Sequence, residues 1–148
     1  MKEISDSRST RLAVVASYAS LGQIEVAGNA SALLEFAAVL ATAEPLTERF
    51  LMVPSDQTAS PYDHFLQKMR VEKNEEKVLI TKEEDTLKIS GSTQNLSQLA
   101  ENIRWLANRE DAPRLSDTLR DHLHIEYYPD HFYLAPCADA LIVVKEDS

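Results

Sequence analysis

The chain has 148 residues, 44% of them hydrophobic, and a net charge of −9 from 15 basic and 24 acidic side chains. A chain of this size suits one domain and buries about 70% of the surface its unfolded form exposes, so it needs no disulfide or metal to hold it together. The acidity repels nucleic acid phosphates, no apolar run approaches the ~20 residues of a membrane span, and the lone Cys137 excludes an intrachain disulfide, which favours a reducing, cytoplasmic setting.

Met1 to Arg11 mixes both signs of charge, and the apolar run Leu12 to Val15 is too short for a secretory core, so no signal peptide is expected. Arg11 to Ser20 is rich in Val, Ala and Leu, Gly22 offers a turn, and Ile24 to Ala27 follows, which predicts a β-hairpin. Gly28-Asn29 then marks a helix start, because Asn accepts hydrogen bonds from unpaired amides of the first turn. Leu33, Phe36, Ala37 and Leu40 form one stripe at helical spacing, and the helix is expected to end near Glu44-Pro45, since proline disfavours helical geometry in the residue before it. Arg49 to Val53 reads as a strand, a loop with Pro54 and Pro61 follows, and Tyr62-Asp63-His64-Phe65 opens another strand.

Lys77 to Lys82 and Leu87 to Ser90 flank the acidic turn Glu83-Glu84-Asp85-Thr86, a second and clearer hairpin. Gly91-Ser92 starts a second helix with the stripe Leu96, Leu99, Ala100 and Ile103, running to about Asn108 with Trp105 expected in the core or at a packing edge. Pro113 to Arg120 reads as a short inserted helix, His122 to Tyr128 as a strand, and Pro129-Asp130-His131-Phe132 as an echo of Asp63-His64-Phe65. The charged runs Glu72 to Lys77 and Lys82 to Thr86 are expected to be solvated turns.

Parts of this pattern occur twice. Ile24-Glu25-Val26-Ala27-Gly28 and its helix stripe return 63 residues later as Leu87-Lys88-Ile89-Ser90-Gly91 with its own stripe. The same offset joins Val78-Leu79-Ile80 to Leu141-Ile142-Val143. The expected fold is therefore α+β: an internally duplicated strand-helix-strand-strand-strand unit, a mixed or antiparallel sheet, and two main helices on one face. One domain would span residues 1–148, in halves of about 11–84 and 85–146.

The sharpest local signal is His122-Leu123-His124-Ile125-Glu126, where the period of two puts both imidazoles and Glu126 on one strand face. Such a face can ligate a metal, with Asp130 or His131 completing the set, but two histidines at this spacing are a weak match to metal sites, and no metal or cofactor is expected. A polar face that meets a partner is the favoured reading. The expected partner-binding residues are Asp121, His122, His124, Glu126 and Asp130. Residues 75–148 hold 15 of the 24 acidic side chains and 8 of the 15 basic ones, so this half would draw a basic partner. Cys137 lacks an identifiable base, and the chain has no Gly-Lys-Ser/Thr phosphate loop and no Gly-X-Ser-X-Gly elbow, so no enzyme activity is expected.

Over residues 86–146, the strand ending in Gly91, the leucine-rich helix Leu96 to Leu106, the His122-X-His124 strand and the terminal apolar strand Leu134 to Val144 resemble immunity protein family 32 of bacterial polymorphic toxin systems. The resemblance implies a non-enzymatic protein that binds and neutralises a toxin; a monomer or homodimer is expected, and the charge and hydropathy above argue against nucleic acid or membrane as a partner. The alternative is a small-ligand or metal-binding regulatory module that uses the His-X-His face or the paired helix N-termini.

Overall fold

The computed structural model describes residues 14–18, 23–42, 44–51, 64–109, 122–136 and 138–145. In chain order its elements are β1 (Val14–Tyr18), β2 (Gln23–Gly28), α1 (Ala30–Leu40), β3 (Leu46–Phe50), β4 (His64–Phe65), β5 (Lys68–Lys73), β6 (Leu79–Glu83), β7 (Thr86–Gly91), α2 (Thr93–Asn108), β8 (His122–Ile125) and β9 (Ala140–Lys145).

Both helices begin as their sequences predict. The Asn29 side chain accepts from the Ala32 amide at 2.9 Å, and the Ser92 hydroxyl accepts from the Asn95 amide at 3.1 Å. Each supplies a partner to an amide that the first helical turn leaves unpaired. Helix α1 stops at Leu40, capped by Ala41, a few residues short of the Glu44-Pro45 limit. Gly91, at φ 158°, lets β7 pass close to the chain entering β6, since a Cβ there would stand 3.1 Å from Val78 Cα.

The α+β class is as expected, but the strands form two mixed sheets rather than one, in the orders β4-β1-β2-β9-β8 and β3-β5-β7-β6. Two parallel pairings lie at their centres. β2 runs beside β9 with Gln23 opposite Ala140 and Gly28 opposite Lys145, while β7 runs beside β5 with Thr86 opposite Lys68 and Gly91 opposite Lys73. Antiparallel strands flank both: β1 on β2 (Val14 opposite Ala27) matches β6 on β7 (Leu79 opposite Ser90), and β8 on β9 (His122 opposite Val144) matches β3 on β5 (Leu46 opposite Glu72). The order β1-β2-β9-β8 thus maps onto β6-β7-β5-β3 in register. Leaving β4 aside, residues 14–73 and residues 79–145 each contribute one strand pair to each sheet.

That mapping corrects one expectation. Val78-Leu79-Ile80 leads into β6, an outer strand antiparallel to β7, whereas Leu141-Ile142-Val143 lies in β9, between β2 and β8. The shared offset joins strands with different places because both are short apolar runs. The strand expected to open at Tyr62 is two strands, β4 and β5, separated by Leu66 and Gln67. The short helix expected over Pro113 to Arg120 lies outside the described residues, as do Gly22, Met52, Val53, Pro54 and Pro61.

One face of each sheet is apolar by strict alternation: Ile24 and Val26, Leu141 and Val143, Met69 and Val71, Leu87 and Ile89 are all buried. These side chains join Leu33, Phe36 and Leu40 of α1 and Leu96, Leu99, Ile103 and Leu106 of α2 in a single core. The helices pack on each other, α1 touching β2 and α2 touching β7, β8 and β9. Burial of each such leucine is worth about 1.5–3 kcal/mol. With α2 and the core fixed beneath it, β8 has its position set, and its polar face turns outward.

Candidate partner-binding surface

Strand β8 is the last strand of its sheet, paired on one side with β9. Its alternation is as expected: Ile125 is buried and Leu123 packs against the core, while His122 and His124 are exposed. The two imidazoles meet edge to face with centroids 5.0 Å apart, and His124 Nδ1 lies 3.3 Å from a Glu126 carboxylate oxygen. Both side chains of that contact are about half exposed, which keeps its contribution to stability small. His122, His124 and Glu126 therefore come together. Asp121 lies outside the described residues, and so does Cys137.

The strand stops at Ile125, three residues before the expected end at Tyr128. Proline at 129 sets up a turn instead. The His131 amide donates to the Tyr128 carbonyl at 2.9 Å, and Asp130 has φ 71°. Proline at the second position and a positive φ at the third are the marks of a type II turn. Asp130 is exposed on that turn, one step beyond the strand that carries the other candidate residues.

His131 is only 6% exposed. Its Nδ1 accepts from the amides of Tyr133 and Leu134 at 3.3 and 3.1 Å, and Lys77 Nζ donates to its carbonyl at 2.7 Å. A nitrogen that accepts two amides carries no proton, so this imidazole is neutral, with its hydrogen on Nε2. Burial, assisted by the Lys77 charge, holds its pKa below the ordinary histidine value. The same interactions remove His131 as a metal ligand beside His122 and His124. Among the described residues no three His, Cys, Asp or Glu side chains are grouped to hold a metal ion.

The loop after His131 is tied to the other sheet. Val78 donates to the Tyr133 carbonyl at 2.7 Å, and Ala135 donates to the Val78 carbonyl at 2.8 Å. Buried Tyr133 accepts from Asn102 Nδ2 of α2 at 2.6 Å, and burial raises its phenol pKa against the opposing effect of that bond. The segment between β8 and β9 is thus fastened to α2, to Lys77 and to the chain entering β6.

Sequence reasoning missed the aromatic side chains on this segment. Tyr128 is 56% and Phe132 64% exposed, and their ring centroids lie 4.6 and 5.9 Å from that of His131. A signal was available: residues 126–133 hold four of the ten Phe, Tyr and Trp residues of the chain, around a proline that ends the strand. Trp105 also departs from expectation. It is 57% exposed, with the Arg109 guanidinium 5.3 Å from its ring centre, because it lies on the side of α2 opposite the Leu96, Leu99, Ile103 stripe.

The helix starts weighed from the sequence as ligand sites carry their own side-chain caps. Ser92 caps its own helix, and the Glu76 carbonyl accepts from both the Ser92 amide and Asn95 Nδ2 at that helix start. A shallow cleft on the outer face of the second sheet, lined by Arg70, Glu72, Thr81 and Lys88, has its cations paired with carboxylates. Arg70 lies 2.8 Å from Glu72 and 3.7 Å from Glu48, and Lys88 lies 3.5 Å from Glu83.

Among the described residues, no helix is long and apolar enough to cross a membrane. No curated protein and no solved structure matches the chain. Residues 86–146, which run from β7 through α2, β8 and the aromatic loop into β9, match the family model of Immunity protein 32.

Proposed function

We propose that this protein is an immunity protein, a non-enzymatic binder that neutralises a cognate toxin of a bacterial polymorphic toxin system in the cytoplasm. The observation that carries this reading is the family match over residues 86–146, which spans the exposed polar face of β8 and the loop after it. Excess acid in residues 75–148 supports a basic toxin domain as the partner, because opposite charges raise the encounter rate and fix orientation. His122, His124, Glu126 and Asp130, with Asp121, form the surface assigned to it. Blocking a toxin requires only complementary shape and charge, and no reaction. Co-expression with the toxin encoded beside its gene should restore growth; death of the cells with every neighbouring toxin would remove the proposal.

We also read the two halves as copies of one ancestral unit, divided between β5 and β6. Support comes from the matching registers of the two sheets and from the Asn29 and Ser92 caps, which occupy the same place in each half. An experimental structure in which no single rotation carries β2 and α1 onto β7 and α2 while carrying β5 onto β9 would end this reading.

A further inference from the structure

We infer that the ledge formed by the exposed rings of Tyr128 and Phe132, both packed on buried His131, recognises an arginine side chain of the partner and anchors the complex beside the His122-X-His124 face. The inference rests on the immunity reading for the partner's identity. Its chemistry stands on the ledge itself.

Phe132 is the most exposed large apolar side chain among the described residues, and Tyr128 is little less so. Both exposed rings lie against the buried His131 ring, Tyr128 at 4.6 Å and Phe132 at 5.9 Å between centroids, and the His131 and Phe132 planes are nearly parallel, at 12°. Aromatic faces are electronegative and attract cations, guanidinium above all because its plane stacks on theirs. Charge in the sequence points the same way. From Asp121 to Val144 there is no Lys or Arg, while Asp121, Glu126, Asp130 and Asp139 are acidic. Glu126 and Asp130, both exposed, bracket Tyr128 in the chain. Lys77, the cation that approaches this loop, directs its ammonium at the His131 carbonyl.

The ledge is also held in place. The Tyr128–His131 turn bond, the two amides on His131 Nδ1, the Lys77 bond and the Asn102–Tyr133 bond fix the backbone and the central ring before any partner arrives. A surface ordered beforehand loses little freedom on binding, and rigid aromatic anchors of this kind dominate the energetics of protein interfaces. By contrast, the His122 and His124 rings already pack against each other, and His124 faces a carboxylate of its own chain. The corresponding strand pair in the second sheet supplies a control. There Phe50, 58% exposed, sits opposite Lys68, away from the acidic residues that bracket Tyr128.

The test titrates the full chain with a short arginine-rich peptide and with its glutamate counterpart, following backbone amide shifts by NMR. The arginine peptide should move residues 126–133 first and the glutamate peptide should move nothing there. Tyr128→Ala and Phe132→Ala should each weaken the arginine peptide about tenfold, whereas Phe50→Ala should change it less than about threefold. Shifts spread evenly over the acidic surface, or unchanged affinity in both aromatic variants, overturn the inference. Both aromatic side chains are exposed, so unchanged thermal melting confirms that the variants fold. Growth rescue separates the two proposals. If Tyr128→Ala with Phe132→Ala protects against the neighbouring toxin as well as the wild type does, the anchor is wrong and the immunity reading stands. If the wild type itself gives no protection, the immunity reading fails, and the peptide titration alone decides the arginine chemistry.

Discussion

Replacing His131 with phenylalanine keeps a flat ring in the same pocket but removes the acceptor on which the amides of Tyr133 and Leu134 converge. Both amides lie in a buried stretch, and a buried donor without a partner costs about 1–3 kcal/mol. The two bonds are long, at 3.3 and 3.1 Å, so the lower part of that range applies to each, or about 2–3 kcal/mol together. In a chain of this length that lowers the melting temperature by roughly 4–12 °C. Asparagine at the same position places a carbonyl oxygen close to where Nδ1 stood and should recover more than half of the loss.

The wild type should also respond to acid in a way that the asparagine variant does not. The folded state holds His131 neutral and its pKa below 6.5, so the unfolded chain takes up the proton first. This contribution to stability is complete above pH 6.5 and is lost as pH falls from there toward the folded-state value. Urea unfolding followed by circular dichroism between pH 7.5 and 5 measures both effects. A phenylalanine variant as stable as the wild type, or identical pH slopes for wild type and asparagine variant, would refute the account of this side chain.

Three further outcomes follow from the packing. Gly91→Ala places a methyl group 3.1 Å from Val78 Cα at a φ of 158° that side chains rarely adopt, and should cost about 1–3 kcal/mol in urea unfolding. Asn29→Ala and Ser92→Ala each remove one helix cap and should each cost about 1 kcal/mol, adding in the double variant because the caps lie on different helices. Leu99→Ala, fully buried between the helix and the sheets, should cost about 2–5 kcal/mol by differential scanning calorimetry; a loss under 1 kcal/mol would mean that α2 is not packed as described.

What could be read from the residues was what depends on near neighbours. Leu96, Leu99, Ala100 and Ile103 define a helix face without reference to the rest of the chain, Asn29 and Ser92 cap the helices they precede, and Glu84 with Asp85 closes a hairpin between adjacent strands. Strand partners are another matter. Val26 lies opposite Val143, more than a hundred residues along the chain, and nothing in either segment specifies the other. For the same reason the division into two sheets was not legible, although alternation within β5, with Met69 and Val71 between Lys68, Arg70 and Glu72, was present to be read. The His122, His124 and Glu126 face followed from the period of a strand, but the aromatic ledge depends on a turn at Pro129 and on the burial of His131, which periodicity does not reveal. Trp105 shows the converse: its phase on α2 already placed it opposite the stripe, and only the habit of burying tryptophan argued otherwise.

The central proposal is direct capture of a toxin by the face of β8 and the loop after it, and calorimetry of the purified chain against the toxin domain encoded beside its gene tests it most directly. The account predicts a stoichiometric complex whose affinity falls as salt is raised and is weakened by Phe132→Ala. Heat-free mixing with every such toxin domain, across low and physiological salt, would contradict it.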